Sequence, residues 1–114
     1  MEKIVEQAML YDFYGELLGE RQKSVYEEYV LDNLSLSEIA EGRGISRQGV
    51  HDLIRRADRT LGGYEEKLHL VSKFMAVREK VNRIYGISDE LAGEGNSEQA
   101  KRIRVIADEI MDEL

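Results

Sequence analysis

The sequence of 114 residues predicts an all-α protein, and two observations carry that prediction. Apolar residues recur at helical spacing along nearly the whole chain, and no run alternates as a strand would. Proline is absent, which a helical protein tolerates more easily than a loop-rich or sandwich fold. The sequence is interpreted as free of internal repeats and of low-complexity segments.

Two helices are predicted before the central motif. Residues 4–18 carry apolar side chains at helical spacing, and Gly19 is the predicted C-cap. Residues 20–33 follow as a second helix, which is expected to end near Asn33. The second helix combines an inward apolar stripe with acidic outer positions.

The middle of the chain predicts two further helices. A short helix over residues 35–42 begins at Ser35 or Ser37, and Glu38 stands at the capping-box spacing from Ser35. A fourth helix is expected to begin at Ser46 and to end near Leu61.

The last part of the chain predicts a long helix and a C-terminal helix. Gly62–Gly63 is expected to stop or kink the chain before a helix over residues 64–85. Residues 86–96 are rich in glycine and are predicted to form a loop around a short turn of helix. Ser97 is the predicted cap of a last helix over residues 98–113.

The expected domain organisation follows from these elements. Residues 1–63 would hold the N-terminal helices and the motif, and residues 64–114 a helical extension, together in one compact domain. The apolar faces of the extension are wider than one neighbour would cover. They either pack on each other and on the N-terminal helices, form a homodimer, or face another protein.

The central helices have the residues of a helix-turn-helix. Ala40 is small enough for a second helix to approach, Gly44 suits a turn with positive φ, and Ile45 fills the junction. The expected buried stripes are Leu36 and Ile39 on the first helix, and Val50, Leu53 and Ile54 on the second. The same packing would also serve a helical hairpin without a nucleic-acid role.

The outward positions of the second motif helix suit a recognition helix. Its first residues would meet base edges in the major groove, where arginine pairs with guanine and glutamine with adenine. The capped N-terminus suits a phosphate, and the later arginines suit the DNA backbone. Asp52 would repel phosphate, or instead pair with a neighbouring arginine. The predicted nucleic-acid-binding residues are Ser46, Arg47, Gln48, His51, Arg55, Arg56 and Arg59.

Composition excludes several function classes. Without cysteine the chain has no disulfide framework, thiolate metal site or cysteine nucleophile. The two histidines have no convergent partner, and no glycine loop precedes a lysine, so neither catalysis nor a metal or other cofactor is expected. No apolar run approaches the roughly 18 residues of a membrane span, and the N-terminus lacks a secretory pattern, which indicates a cytoplasmic protein.

Charge is distributed unevenly along the chain. The net charge of −7 argues against non-specific coating of nucleic acid. Residues 1–33 carry −5 and residues 62–114 carry −3, whereas residues 34–61 carry +1. The segment with the motif is therefore the only basic one of the three.

Residues 34–61 resemble region 4 of bacterial sigma factors, which reads the −35 promoter element. A closer resemblance, over residues 8–74, is carried by Tyr11–Leu18, Gln22–Tyr29, Leu36–Ala40, Ser46–Val50 and Tyr64–Leu70. In these segments the chain resembles the YlxM family of small bacterial helix-turn-helix proteins. The resemblance implies a sigma-region-4-like helix-turn-helix bundle, to which the helical periodicity adds a long helix and a C-terminal helix.

Genes of the YlxM family lie beside that of the signal recognition particle GTPase. The resemblance therefore implies a regulatory role in that pathway, exerted through double-stranded DNA or by binding the particle's protein or RNA. Three positions depart from the family pattern. Arg43 replaces an apolar residue, Gly49 an alanine, and Gly62–Gly63 interrupts an otherwise continuous helix.

Overall fold

The computed structural model describes residues 2–114, which fold into six α-helices without a strand. The all-α prediction is thereby confirmed. A 3₁₀ turn, Gly15–Leu17, follows the first helix. The α-helices in chain order are α1 (Lys3–Tyr14), α2 (Glu20–Val30), α3 (Leu36–Arg43), α4 (Arg47–Leu68), α5 (Leu70–Gly93) and α6 (Ser97–Asp112).

The chain divides into two compact units, the residues up to Val71 and Ser72–Leu114. In the first unit α4 is central, because it packs against α1, α2 and α3. Its buried side chains recur every three or four residues, as an amphipathic helix requires: Val50, Ile54, Ala57 and Leu61. The other helices complete this core with Tyr14, Val25, Tyr26, Ile39 and Ala40.

The predicted break at Gly62–Gly63 is wrong, because α4 continues through both glycines to Leu68. Two glycines inside a helix cost roughly 2 kcal/mol relative to alanines, but contacts on either side hold the helix. Leu61 is fully buried before them, and the ring of Tyr64 packs 5.9 Å from that of Tyr14. The domain boundary expected after residue 63 therefore falls inside a helix.

The turn between α4 and α5 lies at His69, which adopts the left-handed conformation with φ 57°. Its backbone N–H donates to the carbonyl oxygen of Glu65 at 2.9 Å. A histidine in this conformation is uncommon, and no glycine marks the site in the sequence. No local pattern in the sequence therefore marks the end of α4.

Two predicted caps are also wrong. Gly19 is extended, with φ −62° and ψ 151°, and it precedes α2 as its N-cap instead of closing the first helix. Ser97 is the first residue of α6, and Asn96 stands at the N-cap. The first helix ends at Tyr14, four residues earlier than predicted, and the 3₁₀ turn follows it. The last helix begins one residue earlier than predicted.

The predicted loop over residues 86–96 is wrong for its first eight residues, because α5 continues to Gly93. Contacts with α6 on both sides of Gly86 stabilise the helix there. The Tyr85 hydroxyl donates to Asp108, and the Ser88 hydroxyl donates to the carbonyl oxygen of Ala100 at 2.8 Å. The chain reverses only at Gly95, where φ is 90°.

The second unit contains a repeat, which contradicts the interpretation of the chain as repeat-free. Residues 83–91 are Arg-Ile-Tyr-Gly-Ile-Ser-Asp-Glu-Leu, and residues 102–110 are Arg-Ile-Arg-Val-Ile-Ala-Asp-Glu-Ile. The first copy lies on α5 and the second on α6. Ser88 and Ala107 occupy the same position of the repeat, and both are buried.

Across the part of the chain that the structure describes, no helix is long and apolar enough to cross a membrane.

Candidate nucleic-acid interface

The first helix of the motif, α3, begins with the predicted capping box. The Ser35 hydroxyl accepts a hydrogen bond from the Glu38 backbone N–H at 3.0 Å, and the Glu38 carboxylate accepts one from the Ser35 N–H at 3.0 Å. Donation from the Ser35 backbone lowers the pKa of Glu38, because it favours the charged carboxylate. Reciprocal capping stabilises a helix of only eight residues.

The turn of the motif has the predicted geometry. Gly44 is left-handed, with φ 65°, which other residues adopt only with strain. The Ile45 backbone N–H then donates to the carbonyl oxygen of Ala40 at 3.1 Å. Ala40 is buried and Ile45 half-buried at the junction of α3 and α4. The small residue, the glycine and the apolar plug are therefore all used as predicted.

Ser46 begins α4 as its N-cap, and its hydroxyl accepts from the Gly49 backbone N–H at 2.9 Å. A Cβ at Gly49 would lie 3.1 Å from this oxygen, a tight contact. Glycine at this position therefore leaves room for the cap. The backbone N–H groups of Arg47 and Gln48 remain directed out of the helix end.

The side chains of the predicted interface lie together on one half of α4. Helical spacing turns Gln48 and the last three arginines away from the buried stripe of Val50, Ile54 and Leu61. Arg47 and His51 lie nearer the edge of that stripe, and Ser46 precedes the helix as its N-cap. Within residues 2–114 none of the four arginines makes an ion pair, so their charges remain available to a ligand. This half of α4, called the basic face below, presents Ser46, Arg47, Gln48, His51, Arg55, Arg56 and Arg59.

Asp52 lies among these side chains, and its partner is not an arginine. Its carboxylate accepts from the Gln48 amide at 3.1 Å, and the His51 Nδ1 atom lies 3.9 Å away. That Nδ1 atom is buried and has no hydrogen-bond partner among the described residues. An open cleft of about 290 Å³ is lined by Asp52 together with Arg55, Arg56 and Arg59.

Arg43, a departure from the family pattern, fastens α3 to α2. Its Nε atom donates to the Glu28 carboxylate at 2.9 Å, and its terminal nitrogen donates to the Ser24 hydroxyl at 2.5 Å. Both members of the ion pair are mostly buried, with 27% and 28% of their side chains exposed. An ion pair therefore takes the place of apolar packing.

A polar cluster that the sequence did not predict orients α4. The Asp58 carboxylate accepts from the Gln7 amide at 3.0 and 3.1 Å and from the Tyr26 hydroxyl at 2.6 Å. Burial, followed by the bond to Asp58, raises the pKa of Tyr26. The cluster joins α1, α2 and α4. One signal was available, since Asp58 stands four residues after Ile54 and three before Leu61, beside the buried stripe.

A second cluster holds the far end of α4. The Tyr14 hydroxyl donates to the Glu65 carboxylate at 2.6 Å and accepts from the Leu70 backbone N–H at 3.1 Å. Glu65 also accepts from the Val71 N–H at 2.9 Å. The middle and the C-terminal end of α4 are thus fixed to the first two helices, through Asp58 and Glu65.

The described residues contain no group of three or more histidine, cysteine or acidic side chains arranged to hold a metal. Two helices joined by a left-handed glycine, with the second presenting an arginine-rich face, define a helix-turn-helix protein. Residues 1–103 match the family described as "UPF0122: Putative helix-turn-helix protein, YlxM / p13 like". The chain belongs to this family.

Relatives of the same family cover most of the chain. A UPF0122 protein of Caldanaerobacter subterraneus subsp. tengcongensis is 49% identical over 76 residues, which are 67% of this chain and 65% of the relative. A UPF0122 protein of Thermoanaerobacter sp. (strain X514) is 44% identical over 103 residues, 90% of this chain and 88% of the relative. One from Clostridium botulinum is 45% identical over 97 residues, 79% and 89% of the two chains.

Proposed function

We propose that this protein is a sequence-specific regulator that binds double-stranded DNA through the basic face of α4. The observation that carries the proposal is the set of four exposed arginines, unpaired among the described residues, on the second helix of the motif. Their position is that of a recognition helix, whose first turns enter the major groove. Such a role also fits the expectation of a cytoplasmic protein without catalytic activity.

Different side chains along α4 would contact different parts of the DNA. Arg47, Gln48 and His51 would contact base edges, and the Ser46 end would bind a phosphate through free backbone N–H groups. Arg59 lies about 18 Å farther along the axis than Arg47, from a rise of about 1.5 Å per residue. Arg55, Arg56 and Arg59 would therefore hold the backbone and set the register of the complex.

The acidic remainder of the chain supports a specific function over a coating function. A net charge of −7 repels nucleic acid wherever the basic face does not contact it. Non-specific affinity should therefore be low. Two copies of the motif would raise specific affinity by reading two half-sites.

A salt titration on duplex DNA enriched from random sequences tests the proposal. Three arginine–phosphate contacts would give a slope of log K against log salt of about −3. A slope near zero would contradict phosphate binding by the basic face. Arg21→Ala, which removes an exposed arginine from α2, should leave the slope unchanged.

We keep one second candidate, in which the protein is an accessory of the signal recognition particle. It would bind the particle's protein or its RNA, and the motif would serve as a scaffold. The acidic segments on both sides of the motif favour a protein partner. This candidate would be favoured if the particle's RNA competed for the protein more strongly than duplex DNA does at the same salt concentration. Salt-independent capture of the GTPase would favour the protein partner.

A further inference from the structure

The nine-residue repeat gives the α5–α6 hairpin an internal pseudo-two-fold symmetry. Tyr85 and Arg104 occupy one repeat position, and Asp89 and Asp108 another. The cross-helix contacts obey the same exchange, since Tyr85 donates to Asp108 and Arg104 binds Asp89 at 3.1 Å. Equivalent residues therefore make equivalent contacts in the two directions.

These contacts close one broad side of the hairpin. The Arg104 guanidinium also lies 4.8 Å from the centre of the Tyr85 ring. Three of the buried side chains of this unit are small, namely Ser88, Ala100 and Ala107, and Val81 is buried with them. Small residues let the helices approach closely, so the larger apolar side chains beside them are only partly covered by the hairpin itself.

The opposite broad side is apolar, with two exposed residues at its centre and four half-buried residues around them. On each helix three apolar residues follow the spacing i, i+3, i+7, which places them on one stripe. The central residues of the two stripes, Ile87 and Ile106, are 54% and 58% exposed. We call this surface the isoleucine face, and it consists of Ile84, Ile87, Leu91, Ile103, Ile106 and Ile110.

Charges at the rim of the isoleucine face form a self-complementary pattern. Arg83 and Glu90 border the stripe of α5, and Arg102 and Glu109 border that of α6. Because the helices run in opposite directions, the two arginines lie at diagonally opposite corners of the isoleucine face, and the two glutamates lie at the other two corners. A two-fold axis that lies in the plane of this face, parallel or perpendicular to the helices, brings each arginine corner opposite a glutamate corner of the second copy.

We propose that the isoleucine face binds the same face of a second copy, forming a four-helix bundle of two α5–α6 hairpins. Charge complementarity selects the occupant, because the face matches itself under rotation. The apolar stripes would bury one another in the isologous arrangement that two-fold dimers use. The proposal concerns the second unit alone, and it does not depend on what the basic face binds.

Sedimentation equilibrium without nucleic acid tests the proposal. The full chain should be a dimer, and Ile106→Glu should weaken its dimerisation by at least about tenfold, because a charge would enter the apolar centre. Val105→Glu is the matched control. Val105 is 55% exposed, beside Ile106 in sequence, and helical spacing turns it away from the isoleucine face. This variant should remain dimeric.

Two further variants keep the test decisive. If Ile106→Glu loses its helical circular dichroism, Ile87→Glu at the equivalent repeat position replaces it. Arg102→Glu should weaken the dimer. Adding Glu109→Arg should restore it if α6 stacks on α6 of the second copy, and adding Glu90→Arg should restore it if α6 stacks on α5. Restoration by neither would contradict the charge argument. A monomeric wild-type chain, or a dimer unaffected by both isoleucine variants, would overturn the proposal.

Discussion

At the scale of single residues, Asp58 and Arg43 are the side chains that give the motif its rigidity. Asp58 receives donors from Gln7 and Tyr26, which are buried, and so fixes the direction of α4. Arg43 connects α3 to α2 through Glu28. Neither contact is local in sequence, and both are charge-assisted, which makes them stronger than neutral hydrogen bonds. The departure at Arg43 therefore does not loosen the motif.

Removing the Asp58 carboxylate should destabilise the first unit. Asp58→Ala leaves the buried Tyr26 hydroxyl and Gln7 amide without an acceptor, which costs about 1–3 kcal/mol of unfolding free energy. Urea denaturation measures the change. Asp52→Ala, on the exposed side of the same helix, is the control and should stay within about 0.5 kcal/mol. Equal small changes in both variants would show that the cluster does not hold α4.

Arg47 and Arg59 should affect DNA binding in different ways. Arg47→Ala should weaken binding to a preferred DNA sequence by about 1–3 kcal/mol, because a base contact is lost, and it should reduce the preference for that sequence. Arg59→Ala should weaken binding to all DNA sequences alike, because a phosphate contact is lost. The slope of log K against log salt should become about 0.9 less steep. Competitive titration with preferred and scrambled duplexes separates the two effects. An identical response to both variants would contradict the proposed division of the basic face.

At the scale of the helices, tertiary packing overrides local propensity at Gly62–Gly63. Both glycines lie in α4, and a Cβ at either would meet nothing within 4 Å. Gly44, by contrast, needs its left-handed conformation. Sequence pattern alone treats all three as breakers, because it contains no information about the contacts that Leu61 and Tyr64 make on either side.

Alanine should therefore stabilise the protein at Gly62 and Gly63 and destabilise it at Gly44. Gly62→Ala and Gly63→Ala should each raise the unfolding free energy by about 0.5–1 kcal/mol. Gly49→Ala should gain less, because its Cβ would press against the Ser46 hydroxyl. Gly44→Ala should lower stability by about 1 kcal/mol. Thermal or urea unfolding measures all four, and a loss at Gly62 would contradict a continuous α4.

At the scale of the whole molecule, local signals determined what could be predicted from the sequence. The caps at Ser35 and Ser46 and the turn at Gly44 are local, and the structure confirms them. The end of α4 at His69 depends on distant contacts of Tyr14 and Glu65, which no local pattern reveals. The basic face was predictable because side-chain direction follows helical periodicity. Its assignment to nucleic acid stays a prediction.

Selection of bound sequences from random duplex DNA tests the central claim most directly. The wild-type protein at moderate salt should enrich one motif. Arg47→Ala should lose that enrichment, whereas the exposed control Arg21→Ala should retain it. That result would establish α4 as a reader of DNA sequence. Enrichment by none of the three proteins, or equal enrichment by all of them, would contradict sequence reading by Arg47 and the basic face.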